Sequence, residues 1–137
     1  MHAFIPKEVP VPYVDGFVIP VAKYKVDVYK AHARKAGEVW MEHGALSFVE
    51  CVGEDVPYGQ LTSFPRAVRA RDDETVIFSW IVYRSRADRD AIMEKVMADP
   101  RLKGDMPFDA KRLIFGGFEM LFQMPGAPPD RAGQRRA

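Results

Sequence analysis

Three histidines, one cysteine and a few carboxylates set in strand-like segments are the residues of this chain best suited to chemistry. His43 falls at the end of a helix-patterned stretch, where an imidazole that titrates near neutrality could act as a general acid or base. The plainer role at that position is to interact with the last carbonyls of the helix and complement its dipole. His32 precedes His43 on the same stretch. Their separation returns to nearly the same helical face but about 16 Å further along the axis, so the two rings cannot share a metal. His2 stands near the N-terminus, and no paired His, Cys or carboxylate spacing fits a zinc or non-haem iron site. Neither a metal nor a cofactor is expected.

Asp15, Glu50 and Glu119 must each find a cation or a hydrogen-bond donor if their strand faces are buried. Glu50 alternates with Leu46, Phe48 and Val52. A buried pair with Arg66 or Arg112 is the expected arrangement, and a ligand-binding or catalytic role, as a general base, the alternative. Trp80 beside Phe78, and Phe108 beside Met106, offer apolar walls for a flat ligand, although such residues also simply fill cores. Arg66, Trp80, Phe108 and Arg112 are therefore the candidate ligand-binding residues, with His43 and Glu50 the catalytic candidates. Cys51 has no cation nearby to stabilise a thiolate and reads as an inert buried thiol. Ser47, Ser63 and Ser79 lack a nucleophile-elbow context. Gly116-Gly117 is not followed by a phosphate-loop pattern; it suggests instead a bulge or the close approach of another chain.

The elements that must position these residues follow from periodicity. Tyr13 to Ile19, ending at Pro20, is a strand by its β-branched and aromatic content. Tyr24 to His43 carries Tyr29, Ala33, Ala36, Val39 and Trp40 at three- and four-residue steps, an amphipathic helix that Gly44 stops. Ala45 to Val52 is a second strand, and Gly53 to Pro65 a loop. Phe64 to Arg71 is either a short strand or a rim. Thr75 to Tyr83 is the strongest strand. Ser85 and Asp88 open a second helix that Pro100 ends near Asp99. After a long connection, Arg112 to Gln123 is the last strand.

At 137 residues, 47% of them hydrophobic and 28% charged, the chain is the size of one folded domain and is neither disordered nor fibrous. Met1 to Pro12 is a Pro-rich arm, residues 13–124 the folded body, and residues 125–137 a flexible basic tail. Twenty Lys and Arg against nineteen Asp and Glu leave no basic footprint for nucleic acid. A lone cysteine permits no internal disulfide, and neither a signal peptide nor a stretch of about 20 apolar residues is present, so a soluble cytoplasmic protein without membrane contact is expected.

Two strand-helix-strand units in one antiparallel sheet, βαββαβ, give a ferredoxin-like α+β layout with both helices on one face. Period-two alternation nevertheless makes both faces apolar. Val76, Phe78, Trp80 and Val82 back onto Ile77, Ile81 and Tyr83, and the other strands repeat the pattern. A bare apolar face of ~500 to 800 Å² would forgo roughly 12 to 20 kcal/mol as an upper bound. The expected cover is the same sheet of a second copy, with the N-terminal arm as the alternative.

Several segments resemble the bacterial YbaA-like family of unknown function. They are Tyr13-Val14-Asp15-Gly16-Phe17, His43-Gly44-Ala45, Phe64-Pro65-Arg66-Ala67-Val68, Phe78-Ser79-Trp80-Ile81, Met97-Ala98-Asp99-Pro100-Arg101 and Met106-Pro107-Phe108-Asp109, leading into Gly116-Gly117-Phe118-Glu119. The resemblance implies a dimeric α+β barrel, related in fold to antibiotic-biosynthesis-type monooxygenases and other small ligand-binding barrels. It implies no established reaction, and fold alone does not supply one. The expected function is binding of a small apolar or aromatic molecule in a pocket between sheet and helices near Trp80, His43 and the Arg66 segment. The alternative is a cofactor-independent, monooxygenase-like oxidoreductase with His43 as base and Trp80 as a wall. A third class, regulation through protein partners, would use the arm or the tail.

Overall fold

The structure is a computed structural model that describes residues 10–126. Four strands, β1 (Tyr13–Ala22), β2 (Ser47–Val52), β3 (Glu74–Tyr83) and β4 (Ile114–Glu119), form one sheet in the order β2-β3-β1-β4. All three neighbouring pairs are antiparallel. Helix α1 (Val26–Glu42) joins β1 to β2, and α3 (Arg86–Ala98) joins β3 to β4. A single helical turn, α2 (Phe64–Ala67), interrupts the loop between β2 and β3. Of the arm expected over residues 1–12 only 10–12 are described, and of the tail over 125–137 only Pro125 and Gly126. The backbone N–H of Met120 donates to the carbonyl of Pro12, extending the β1–β4 edge by one bond.

Local signals place most boundaries. Gly44 follows α1 with φ of 113°, a left-handed conformation that suits glycine. The Ser85 hydroxyl accepts from the Asp88 N–H at 3.1 Å, and α3 ends two residues before Pro100. Residues 64–71 add no strand. Ser63 caps α2 by accepting from Arg66 N–H, and Arg69 then turns left-handed with φ of 50°.

Other expected boundaries shift: α1 starts at Val26 rather than Tyr24, β2 at Ser47 rather than Ala45, and β4 spans Ile114–Glu119 rather than Arg112 to Gln123. β1 continues through Pro20 to Ala22, because β4 pairs with it only as far as Val18 opposite Ile114; beyond that point one side of β1 is an edge, where a missing N–H is tolerated. Gly116-Gly117 makes no bulge either. The register runs evenly through Gly16 opposite Gly116 and Asp15 opposite Gly117. The close approach comes from within the chain, since a Cβ at position 117 would overlap the side chains of Tyr13 and Arg89.

Both long helices pack on the face that carries Tyr13, Asp15, Phe17, Ile19, Phe48, Ile77, Ile81 and Tyr83. Val39 of α1 and Ile92 and Val96 of α3 bury Tyr13, Ile81 and Tyr83, while Tyr29 and Ala33 bury Ile19, Val21 and Ile77. A buried ion pair fixes α3 to the sheet: Arg89 Nε lies 3.1 Å from Asp15 Oδ1, and the Asp15 side chain is 4% exposed. Arg89 also sits over the Tyr13 ring. The opposite face carries Val14, Val18, Val49, Phe78, Trp80, Val82, Ile114 and Phe118. Phe78, Ile114 and Phe118 on it are exposed, so the alternation that made both faces apolar in sequence leaves one of them open in the chain.

Candidate functional site

Beneath α1 the packing leaves a cavity of about 310 Å³. Its cause lies in side-chain size. Ala33 and Ala36 stand between Tyr29 and Trp40 on the sheet-facing side of the helix, and their small side chains leave space beside Phe17 and Phe48, which rise from the sheet into the same cavity. Trp40 and Phe48 close one end with ring centroids 5.9 Å apart. The indole N–H of Trp40 donates to the hydroxyl of buried Tyr83 at 3.0 Å, which fixes the wall. At another end the connection after α3 folds across, and Phe108 meets Tyr29 edge-on at 5.9 Å.

Two carboxyls line this largely apolar space, Glu50 from the sheet and Asp99 from the end of α3. Glu50 projects from β2, and the Tyr29 hydroxyl donates to its Oε2 at 2.7 Å. Ser79, directly opposite Glu50 across the β2–β3 pair, supplies a second hydroxyl and is itself buried. Burial pushes the Glu50 carboxyl above the ordinary carboxylate range, and the two hydroxyl bonds only partly offset that. Tyr29 is driven far above the usual phenol range, first by burial and then by the Glu50 charge, so it remains a proton donor at neutral pH. His32 lies at the rim, and partial burial together with Lys35 lowers its pKa, keeping the ring neutral. Among the described residues no group of three or more His, Cys, Asp or Glu side chains is arranged to hold a metal ion.

The six candidates from the sequence do not share one place. Glu50 and Phe108 line the cavity. Trp80 lies on the opposite face, paired with Gly16 and Val49 and in edge-to-face contact with Phe78 at 5.5 Å. A pocket between sheet and helices near Trp80 is therefore corrected: two-residue alternation turns that indole away from the helices, and Trp40 is the tryptophan in the wall. Arg66 is exposed, stacks 3.9 Å over Tyr58 and donates to the carbonyls of Tyr58 and Gly59, holding the β2–β3 loop. Arg112 binds both oxygens of Glu74, Asp109 Oδ2 and the carbonyl of Arg69, joining two loops; its neighbour Leu113 reaches the cavity. The expected Glu50–arginine pair is thus replaced by hydroxyl donors, because both arginines are engaged elsewhere.

His43 caps α1 and its Nε2 lies 3.1 Å from Asp99 Oδ2. Asp99 borders the cavity and His43 does not. The Arg101 side chain, backed by its own N–H, holds the Asp99 carboxyl well below the usual range. Cys51 is exposed rather than buried, since it lies on the terminal strand and points to the uncovered face. The sequence reading passed over Tyr29, Trp40 and Ser79 as site residues. A pair of alanines between two large aromatics on one helical face was the available signal.

Comparison with known proteins places the chain. Residues 12–110 match the family described as "Protein of unknown function (DUF1428)". Proteins named "Uncharacterized protein YbaA" from Escherichia coli K12, Escherichia coli O157:H7 and Shigella flexneri are each 51% identical over 112 residues, covering 80% of this chain and 96% of theirs. The chain belongs to this family. The part of the chain that the family covers contains every cavity-lining side chain except Leu113. No helix among the described residues is long and apolar enough to cross a membrane.

Proposed function

We propose that the protein binds a small, flat, largely apolar molecule carrying one hydrogen-bonding group, in the cavity under α1, and that it works as a ferredoxin-like, dimeric α+β barrel. The observation that carries the binding reading is a buried carboxyl, Glu50, held by Tyr29 and Ser79 in a largely apolar chamber of about 310 Å³, whose other lining carboxyl, Asp99, is already engaged by Arg101 and His43. Ligand sites combine apolar walls with a few fixed polar groups in this way. A carboxyl already raised by burial takes an O–H or N–H from the ligand when ionised, and donates to a ligand oxygen when protonated. Phe17, Trp40, Phe48 and Phe108 supply faces and edges for a ring.

Two features support the assembly. The two long helices occupy one sheet face, and the other, where of the helices only the short α2 packs through Phe64 against Phe78, presents Phe78, Ile114 and Phe118 to the outside, a surface suited to an isologous partner. The exposed thiol of Cys51 accords with a reducing compartment, the cytoplasm. The oxidoreductase alternative gains nothing from His43, which is engaged with Asp99 outside the cavity.

The test is calorimetric titration of the protein with 2-naphthol and with naphthalene. 2-Naphthol is expected to bind about fivefold or more tightly through its hydroxyl, and Ala36→Leu, which fills the chamber, to abolish both interactions. Absence of heat and of any thermal shift with either compound overturns the binding reading. A stable monomer by light scattering at micromolar concentration overturns the dimer.

A further inference from the structure

A second concavity, of about 590 Å³, lies outside the first, between α1 and the terminal strand β2. Val26, Met41, Phe48, Val52 and Ile77 give it an apolar bed. Tyr29, Ala33, Phe48 and Glu50 belong to the walls of both spaces, so the two adjoin across shared side chains that include the hydrogen-bonded Tyr29–Glu50 pair and the Phe48 ring. Phe48 reaches under the helix because position 37 is glycine; a Cβ there would come within 2.8 Å of its ring.

The outer lip is charged. Lys30 and Arg34, one helical turn apart on α1, are exposed along it, and neither takes part in an ion pair among the described residues. Glu38, one turn further on, is the single carboxylate on the helix side of the groove. Two uncommitted cations against one anion, at the edge of an apolar trough, complement a ligand with a negative head, and the arginine fork fits a carboxylate with two bonds.

We propose that groove and cavity are two ends of one elongated site for an amphipathic organic acid, its apolar end under α1 and its carboxylate on Lys30 and Arg34. This rests on the binding function proposed above and names the class of ligand. Decanoate and decan-1-ol serve as probes, titrated calorimetrically into the full-length protein at low salt. Decanoate is expected to bind about tenfold more tightly than the alcohol, as charged hydrogen bonds warrant. The Lys30→Ala/Arg34→Ala double variant, altered only at exposed positions, loses that preference and keeps its affinity for 2-naphthol. Saturating 2-naphthol displaces decanoate, because the two share the inner end. Equal affinity for acid and alcohol, with 2-naphthol still bound, overturns this inference alone. So does simultaneous binding of 2-naphthol and decanoate. Failure of the unmodified protein to bind 2-naphthol overturns the binding reading along with it.

Discussion

The two faces of the sheet are built from similar apolar residues and behave differently. The helix-covered face buries Tyr83, Val96 and Val39 to 1% exposure or less, and it admits polar groups: Asp15 with Arg89, Glu50 with Tyr29 and Ser79, Trp40 with Tyr83. Among the described residues no buried side-chain nitrogen or oxygen lacks a partner. The open face has almost no polar groups and leaves Phe118 62% exposed. A covered face can hold charge and a cavity because the helices supply donors and span gaps, whereas an uncovered face can only offer itself for contact.

That contrast is broken most severely at Arg89. Replacing it with alanine strands the Asp15 carboxylate in the core and is expected to cost about 3 to 5 kcal/mol in urea unfolding, enough to remove much of a small domain's stability. On the open face, Phe118→Asp should leave the monomer folded by circular dichroism while weakening self-association by about 2 kcal/mol, read by sedimentation. Retention of the assembled species would show that this face is covered some other way.

Smaller effects sharpen the account of the cavity. Gly37→Ala gains helix propensity but pushes into Phe48; the expected net is a loss of about 1 kcal/mol, because overpacking outweighs a gain of similar or smaller size. Glu50→Gln has the smallest effect, and its sign depends on pH. The folded-state pKa of Glu50 is raised, mainly by burial, so the folded state favours the protonated carboxyl. That contribution to stability is fully present below the unfolded pKa, near ~4.3, and is lost as pH rises through the folded value. The neutral amide should therefore match the parent at pH 4 and be the more stable protein at pH 7.5, by urea titration at both. A parent equally stable relative to the variant at both pH values would contradict the burial of this group.

Much of the fold is legible along the chain because its signals are local. Ser85, Gly44 and Pro100 act on their immediate neighbours, and alternation in β3 separates Trp80 from Ile81 without any knowledge of what each will touch. The site is legible only in part. Glu50 stands out as a carboxyl among apolar residues, and Phe108 as an aromatic in a long connection. Trp80 and Arg66 attract attention by type, yet one sits on the far face and the other staples a loop. Tyr29 and Trp40 look like ordinary core residues until the sheet is placed beneath them.

The sequence by itself determined which residues share a face, where the helices stop and that both sides of the sheet would be apolar, since each follows from backbone geometry and nearest neighbours. The tertiary structure decided that Glu50 meets hydroxyls rather than an arginine, that Arg112 joins Glu74 instead, and that two alanines over Phe17 and Phe48 leave a chamber. Partners distant in sequence meet only when the sheet register and the helix crossing are both set, and no periodicity along a single segment encodes that meeting.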